Sequence, residues 1–120
     1  MHDNPYKLKV KKMKDGLYVV SFQTNNKDFG SGTVSVSNDA INGGDYAYYY
    51  QGRALGAELR LKVKQFNRNA QSVFGPLNNF HLILSINEHE SNDYFLEGYV
   101  EEYPTFHLQV IAKKVSELIV

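Results

Sequence analysis

Three potential metal ligands stand in consecutive positions at Glu88-His89-Glu90, an imidazole between two carboxylates. His81 and His107 each fall on the polar face of an alternating run, so ligands from neighbouring strands could converge on zinc. Against a metal, residues 88–92 read as a polar hairpin tip, where charged side chains occur without any ion. No cysteine is present to assist and no spacing matches a zinc signature, so neither a metal nor another cofactor is expected. Nucleophilic catalysis has no better foundation. The chain holds no Gly-x-Ser-x-Gly elbow, and Ser72 has no evident histidine partner. Glu101 and Glu102 are adjacent, which in a strand sends their carboxylates to opposite faces and spoils a shared acid–base task. Gly30-Ser31-Gly32 and Gly43-Gly44 lack the strand–loop–helix context in which glycines cradle phosphate. A non-enzymatic protein is expected.

The tyrosines are the stronger candidates. Tyr46, Tyr48 and Tyr50 follow Gly43-Gly44-Asp45 and precede Gln51-Gly52. In a pleated strand those three share one face while Ala47, Tyr49 and Gln51 line the other, so neither face is simply water-facing. Tyr18 and Phe22 on a neighbouring strand, and Phe74 in a long loop, extend the group. Together they could line a cavity with apolar walls and a few hydroxyls, as small amphipathic ligands require. The competing reading is that the aromatics merely fill a barrel or a dimer contact. Use as a base-stacking surface would need a cationic groove, which this chain lacks.

Composition bounds these readings. The 120 residues suit one domain with a modest core, and 42% hydrophobic content is too high for disorder. Lys plus Arg and Asp plus Glu number 13 each, so no net field attracts nucleic acid or an anionic membrane. The absence of cysteine excludes disulfides and fits a reducing compartment, and no apolar segment resembles a secretory leader near the N-terminus. A cytoplasmic protein without a membrane span is expected. Lys7, Lys9, Lys11, Lys12 and Lys14 form a local basic run. Without aromatic or arginine interleaving, residues 1–12 read as a solvated extension or a lysine-protected edge strand rather than a phosphate-binding arm. Residues 13–120 then form the single domain.

Those candidates need a scaffold, and the dominant period is two. Leu59, Leu61 and Val63 alternate with Glu58, Arg60, Lys62 and Lys64, the signature of a half-buried strand. Similar runs occupy 80–86, 95–101 and 106–113, with earlier ones at 17–23, 33–37, 45–51 and a short one at 40–42. A 3.6-residue stripe is confined to the tail, 115–120. Gly30-Ser31-Gly32 and Gly43-Gly44 read as turns or bulges, and Asn38-Asp39 splits two strands. Seven or eight short antiparallel strands in one domain predict an all-β barrel or sandwich. The long connection 67–79, with apolar Val73 and Phe74, should fold inward over an open end.

Several segments together carry a family resemblance: Met13-Lys14-Asp15-Gly16-Leu17-Tyr18, Gly30-Ser31-Gly32, Gly43-Gly44-Asp45, Tyr50-Gln51-Gly52 and Ser72-Val73-Phe74-Gly75. In order and spacing, from Met13 to about Lys114, the chain resembles the GrlR-like family, whose best-known member negatively regulates bacterial type III secretion. The resemblance implies a small eight-stranded antiparallel β-barrel, lipocalin-like, with 67–79 as a plug-like loop. It also implies a homodimer formed by hydrophobic contact between barrels, and Ile83, Phe95, Tyr99 and Ile111 are the outward-leaning candidates for that contact. The family's regulator captures a transcriptional activator through alternating acidic residues just after its Tyr-x-Gly element. The equivalent stretch here, 53–59, contains only one acid, so Arg53, Glu58 and Arg60 are the candidate partner-binding residues and a different partner is expected. The expected function is regulation by protein–protein binding. A β-barrel carrier or sensor of a lipid-like or other apolar ligand is the alternative.

Overall fold

Alternating inward and outward side chains generate eight antiparallel strands, each hydrogen-bonded to the next, with the last returning to the first to close a barrel. A computed structural model describes residues 13–70, 74–90 and 92–119. The strands are β1 (Gly16–Thr24), β2 (Phe29–Ser37), β3 (Ala40–Gly44), β4 (Tyr48–Leu55), β5 (Glu58–Gln65), β6 (Asn79–Glu90), β7 (Asp93–Val100) and β8 (Tyr103–Ser116). The expected small lipocalin-like barrel is therefore the fold. In β5, Leu59, Leu61 and Val63 are buried while Glu58, Arg60, Lys62 and Lys64 face water, as the alternation requires. Closure pairs Val20 with Ala112 and Phe22 with Val110, so both sheet edges are consumed. Among the described residues there is no helix, and hence none long and apolar enough to cross a membrane.

Turn chemistry fixes the register at the tightest connection. Asn38 and Asp39 adopt φ of 48° and 68°, the pair of left-handed residues that a two-residue hairpin between Ser37 and Ala40 demands. The Asn38 N–H also donates to Asp15 Oδ1 at 3.0 Å, anchoring this hairpin to the start of β1.

Several expected turns are strand instead. Gly30-Ser31-Gly32 lies inside β2, and Gly43-Gly44 lies inside β3, paired with Val34 and Thr33 on one side and Tyr50 and Tyr49 on the other. The reason is steric. A Cβ on Gly43 would stand 2.1 Å from the Thr33 carbonyl oxygen, and one on Gly30 would stand 2.5 Å from the Phe22 ring. These glycines admit a neighbouring strand and an inward ring rather than reversing the chain. The reversal comes at Asp45, whose Oδ1 accepts the N–H groups of Ala47 at 2.8 Å and Tyr48 at 2.7 Å. β4 accordingly starts at Tyr48, not Asp45. Toward the C-terminus, β8 continues to Ser116 and, among the described residues, 117–119 form no helix. Glu101 and Glu102 sit in the turn between β7 and β8 rather than in β7.

Both barrel ends are corked by aromatic contacts. Phe74, only 2% exposed, meets the rings of Phe22, Tyr48, Phe80 and Phe106 at centroid separations of 5.7, 5.5, 4.9 and 6.0 Å. At the opposite end Tyr18 and Tyr94 lie 6.1 Å apart, and the Tyr18 hydroxyl donates to the Lys14 carbonyl at 2.6 Å. Met13 closes over that end as a buried side chain. The 67–79 connection thus acts as a plug through Phe74, while Ser72 and Val73 lie outside the described residues.

Candidate functional site

The interior is where the tyrosines were expected to serve a ligand. Tyr18, Phe22, Tyr48, Tyr50 and Phe74 are all buried there. Tyr46 is not: it sits in the Asp45 turn and is 78% exposed, because that turn ends before the strand alternation begins. Of the others, Phe22, Tyr50 and Phe74 border an apolar cavity of ≈ 60 Å³ together with Met13 and aliphatic residues, whereas Tyr18 and Tyr48 do not line it. Ligand pockets usually span roughly 300–1,000 Å³, so this volume suits a few atoms and not a lipid.

The tyrosine hydroxyls have partners within the barrel. Tyr18 donates to Lys14, Tyr48 to the Leu77 carbonyl in the plug, and Tyr50 to Asp45 Oδ2. Among the described residues, no buried side-chain polar atom lacks a hydrogen-bond partner. Burial, then the Asp45 hydrogen bond and the charges of Asp45 and Tyr48, push the Tyr50 phenol far above its ordinary range. Burial does the same for Tyr18, aided by Tyr94. The hydroxyl protons of Tyr18, Tyr48 and Tyr50 are thus engaged in holding strands, plug and turn together.

The outer surface offers more. Ile83 faces Tyr99 across β6–β7, and Phe95 faces Ile111 across β7–β8. A polar row, Ser85-Glu97-Gln109, separates these two apolar pairs. The Phe95–Ile111 pair continues instead toward Ser21 and Ser31, forming with Phe29 an open groove of ≈ 580 Å³. Phe29 is 72% exposed. Phe29 carries no period-two signal of its own, because it stands between the polar run 25–28 and Gly30-Ser31-Gly32. The small residues beside it, which leave the ring uncovered, were the available signal.

Arg53, Glu58 and Arg60 all point outward near the β4–β5 hairpin, with Arg53 directly paired to Arg60. Leu55 at the tip is exposed alongside them. Arg60 is further engaged by Glu101 Oε1 at 2.8 Å. Next to it, His81 Nδ1 stands 2.7 Å from Glu102 Oε2, and the His81 N–H donates to Glu102 Oε1 at 2.9 Å. Partial burial opposes ionisation of Glu102, but the hydrogen bonds from His81 outweigh it and hold the carboxyl below its ordinary value. This grouping was hidden in the sequence, since 81 and 101–102 meet only through the β6–β7 register. His107 belongs elsewhere, paired with Tyr99. The side chains of Glu88, His89 and Glu90 lie outside the described residues, as do Lys7, Lys9, Lys11 and Lys12.

Comparison with known proteins adds no constraint on these sites: no family model matches the chain, and no curated protein matches it.

Proposed function

We propose that this protein is a non-enzymatic, GrlR-like interaction module that works through its outer surface and pairs with a second copy of itself. The observation that carries this reading is the contrast between a filled interior and an uncovered apolar groove. An interior cavity of only ≈ 60 Å³, with the described buried side-chain polar atoms hydrogen-bonded, supports recognition on the outer surface. Phe29, Phe95 and Ile111 supply apolar contact there, over a floor of Ser21 and Ser31 that lets a partner approach closely. A formal net charge of zero and the uncharged side chains of this groove allow two copies to meet without repulsion. The Ile83–Tyr99 pair lies beyond the polar row and extends the contact rather than centring it.

A second role, contact with a different regulatory protein, falls to the Arg53, Leu55, Glu58 and Arg60 end of the β4–β5 hairpin. Its mixed charge argues for a partner presenting both acidic and apolar groups. The carrier alternative is weakened by cavity volume, which falls well short of a lipid-sized pocket.

Sedimentation of the purified chain tests the pairing. A dimer that becomes monomeric in Phe95→Glu and stays dimeric in Tyr46→Glu supports it. A monomer at tens of micromolar, or a dimer indifferent to Phe95→Glu, overturns it.

A further inference from the structure

We propose that the β7–β8 turn and the adjoining edge of β6 form a binding site for a first-row divalent metal ion of the zinc class, built from His81, Glu101 and Glu102. One donor atom from each residue lies within 4.8 Å of the other two. Donors at about 2.0–2.2 Å from a tetrahedral ion stand roughly 3.3–3.6 Å apart, so the widest separation must close by up to about 1.4 Å, which rotation of the exposed Glu101 and Glu102 side chains can supply. The imidazole selects against magnesium and calcium, and the carboxylates against copper(I), which leaves zinc and its divalent neighbours.

The turn is already held in place for this task. The Glu101 N–H donates to the His81 carbonyl at 2.8 Å, and Glu102 Oε1 takes the His81 N–H at 2.9 Å. Glu102 therefore has one oxygen committed to the backbone and the other directed at the imidazole nitrogen, 2.7 Å away. Three protein ligands leave a fourth position for water or for a ligand from a partner.

The opposing charges lie on β5. Lys62 is the ladder neighbour of His81, and Arg60 holds Glu101 Oε1 at 2.8 Å. The Arg60–Glu101 pair is solvent-exposed, and such pairs are weak enough to yield to a metal. Arg60 is thus a competitor for Glu101, and its removal should favour the ion. That sign separates a metal site from a simple ion-pair staple.

Zinc ion added to the full chain at neutral pH, followed by residue-resolved NMR and by calorimetry, decides the matter. The expected result is saturation near one equivalent, with the largest shifts at the His81 ring and the amides of Glu101 and Glu102. His81→Asn and Glu102→Gln should each weaken binding by at least about tenfold, the scale on which even outer-shell partners matter. Arg60→Ala should tighten binding, and His89→Asn and His107→Asn should leave it within about twofold. No shift at His81 under excess zinc in the wild type would overturn the proposal, and needs no variant to fold. Unchanged affinity in His81→Asn, or weaker binding in Arg60→Ala, would overturn it as well.

Discussion

Truncating Phe74 to alanine tests whether the 67–79 connection is a structural plug or a loose lid over a binding chamber. The ring is 2% exposed and sits among four aromatic neighbours at 4.9–6.0 Å. An aromatic side chain buries about 150–250 Å², worth about 4–6 kcal/mol at about 25 cal/mol per Å² as an upper bound. Measured core Phe→Ala losses of about 3–5 kcal/mol agree with that scale. An unfolding entropy of about 2.1 cal/mol/K per residue over 120 residues converts this loss to a Tm lowered by about 12–20 °C. Thermal and urea unfolding followed by circular dichroism would measure both. Phe66→Ala, an exposed ring just before that connection, is the control and should stay within about 0.5 kcal/mol. The truncation should also enlarge the ≈ 60 Å³ cavity enough to admit a small apolar probe such as benzene. A loss below about 1 kcal/mol would refute the plug, because a ring packed as described cannot be removed so cheaply.

Other positions make independent demands. Gly43→Ala should cost about 2–3 kcal/mol in urea unfolding, since the new Cβ meets backbone, Thr33 O at 2.1 Å, which cannot swing aside. Asp45→Ala should cost at least about 2 kcal/mol, because it frees two backbone N–H groups and leaves the buried Tyr50 hydroxyl without its acceptor. Tyr50→Phe removes the hydroxyl instead and should cost less. The Tyr18 and Tyr50 phenols titrate higher in the folded than the unfolded state, so their contribution is complete below about pH 10 and declines as pH rises beyond it. Phenolate absorbance should accordingly show these two ionising only with the loss of circular dichroism, and a titration of all tyrosines in the intact fold would contradict that.

Alternation alone determined which residues line the barrel wherever a strand is regular. Leu59, Leu61 and Val63, or Phe80, Leu82, Leu84 and Ile86, face inward because side chains in a strand alternate, whatever the partner strand is. The same rule misplaced Tyr46, since an Asp45 side chain capturing two N–H groups ends the alternation just before Tyr48. It also misread Gly30, Gly32, Gly43 and Gly44. A glycine that admits a neighbour's ring or backbone has the same local appearance as one that turns the chain.

Only the tertiary structure decided what those faces do. Whether tyrosine hydroxyls wait for a ligand or bind Lys14, Leu77 and Asp45 depends on contacts up to 29 residues apart in sequence. Closure of β8 on β1, the groove beside Phe29, and the meeting of His81 with Glu101 and Glu102 likewise arise from register between strands. Local sequence sets the direction of each side chain with period two. The identity of its neighbours across the ladder is set by how the whole barrel closes, and that is where the candidate sites of this protein reside.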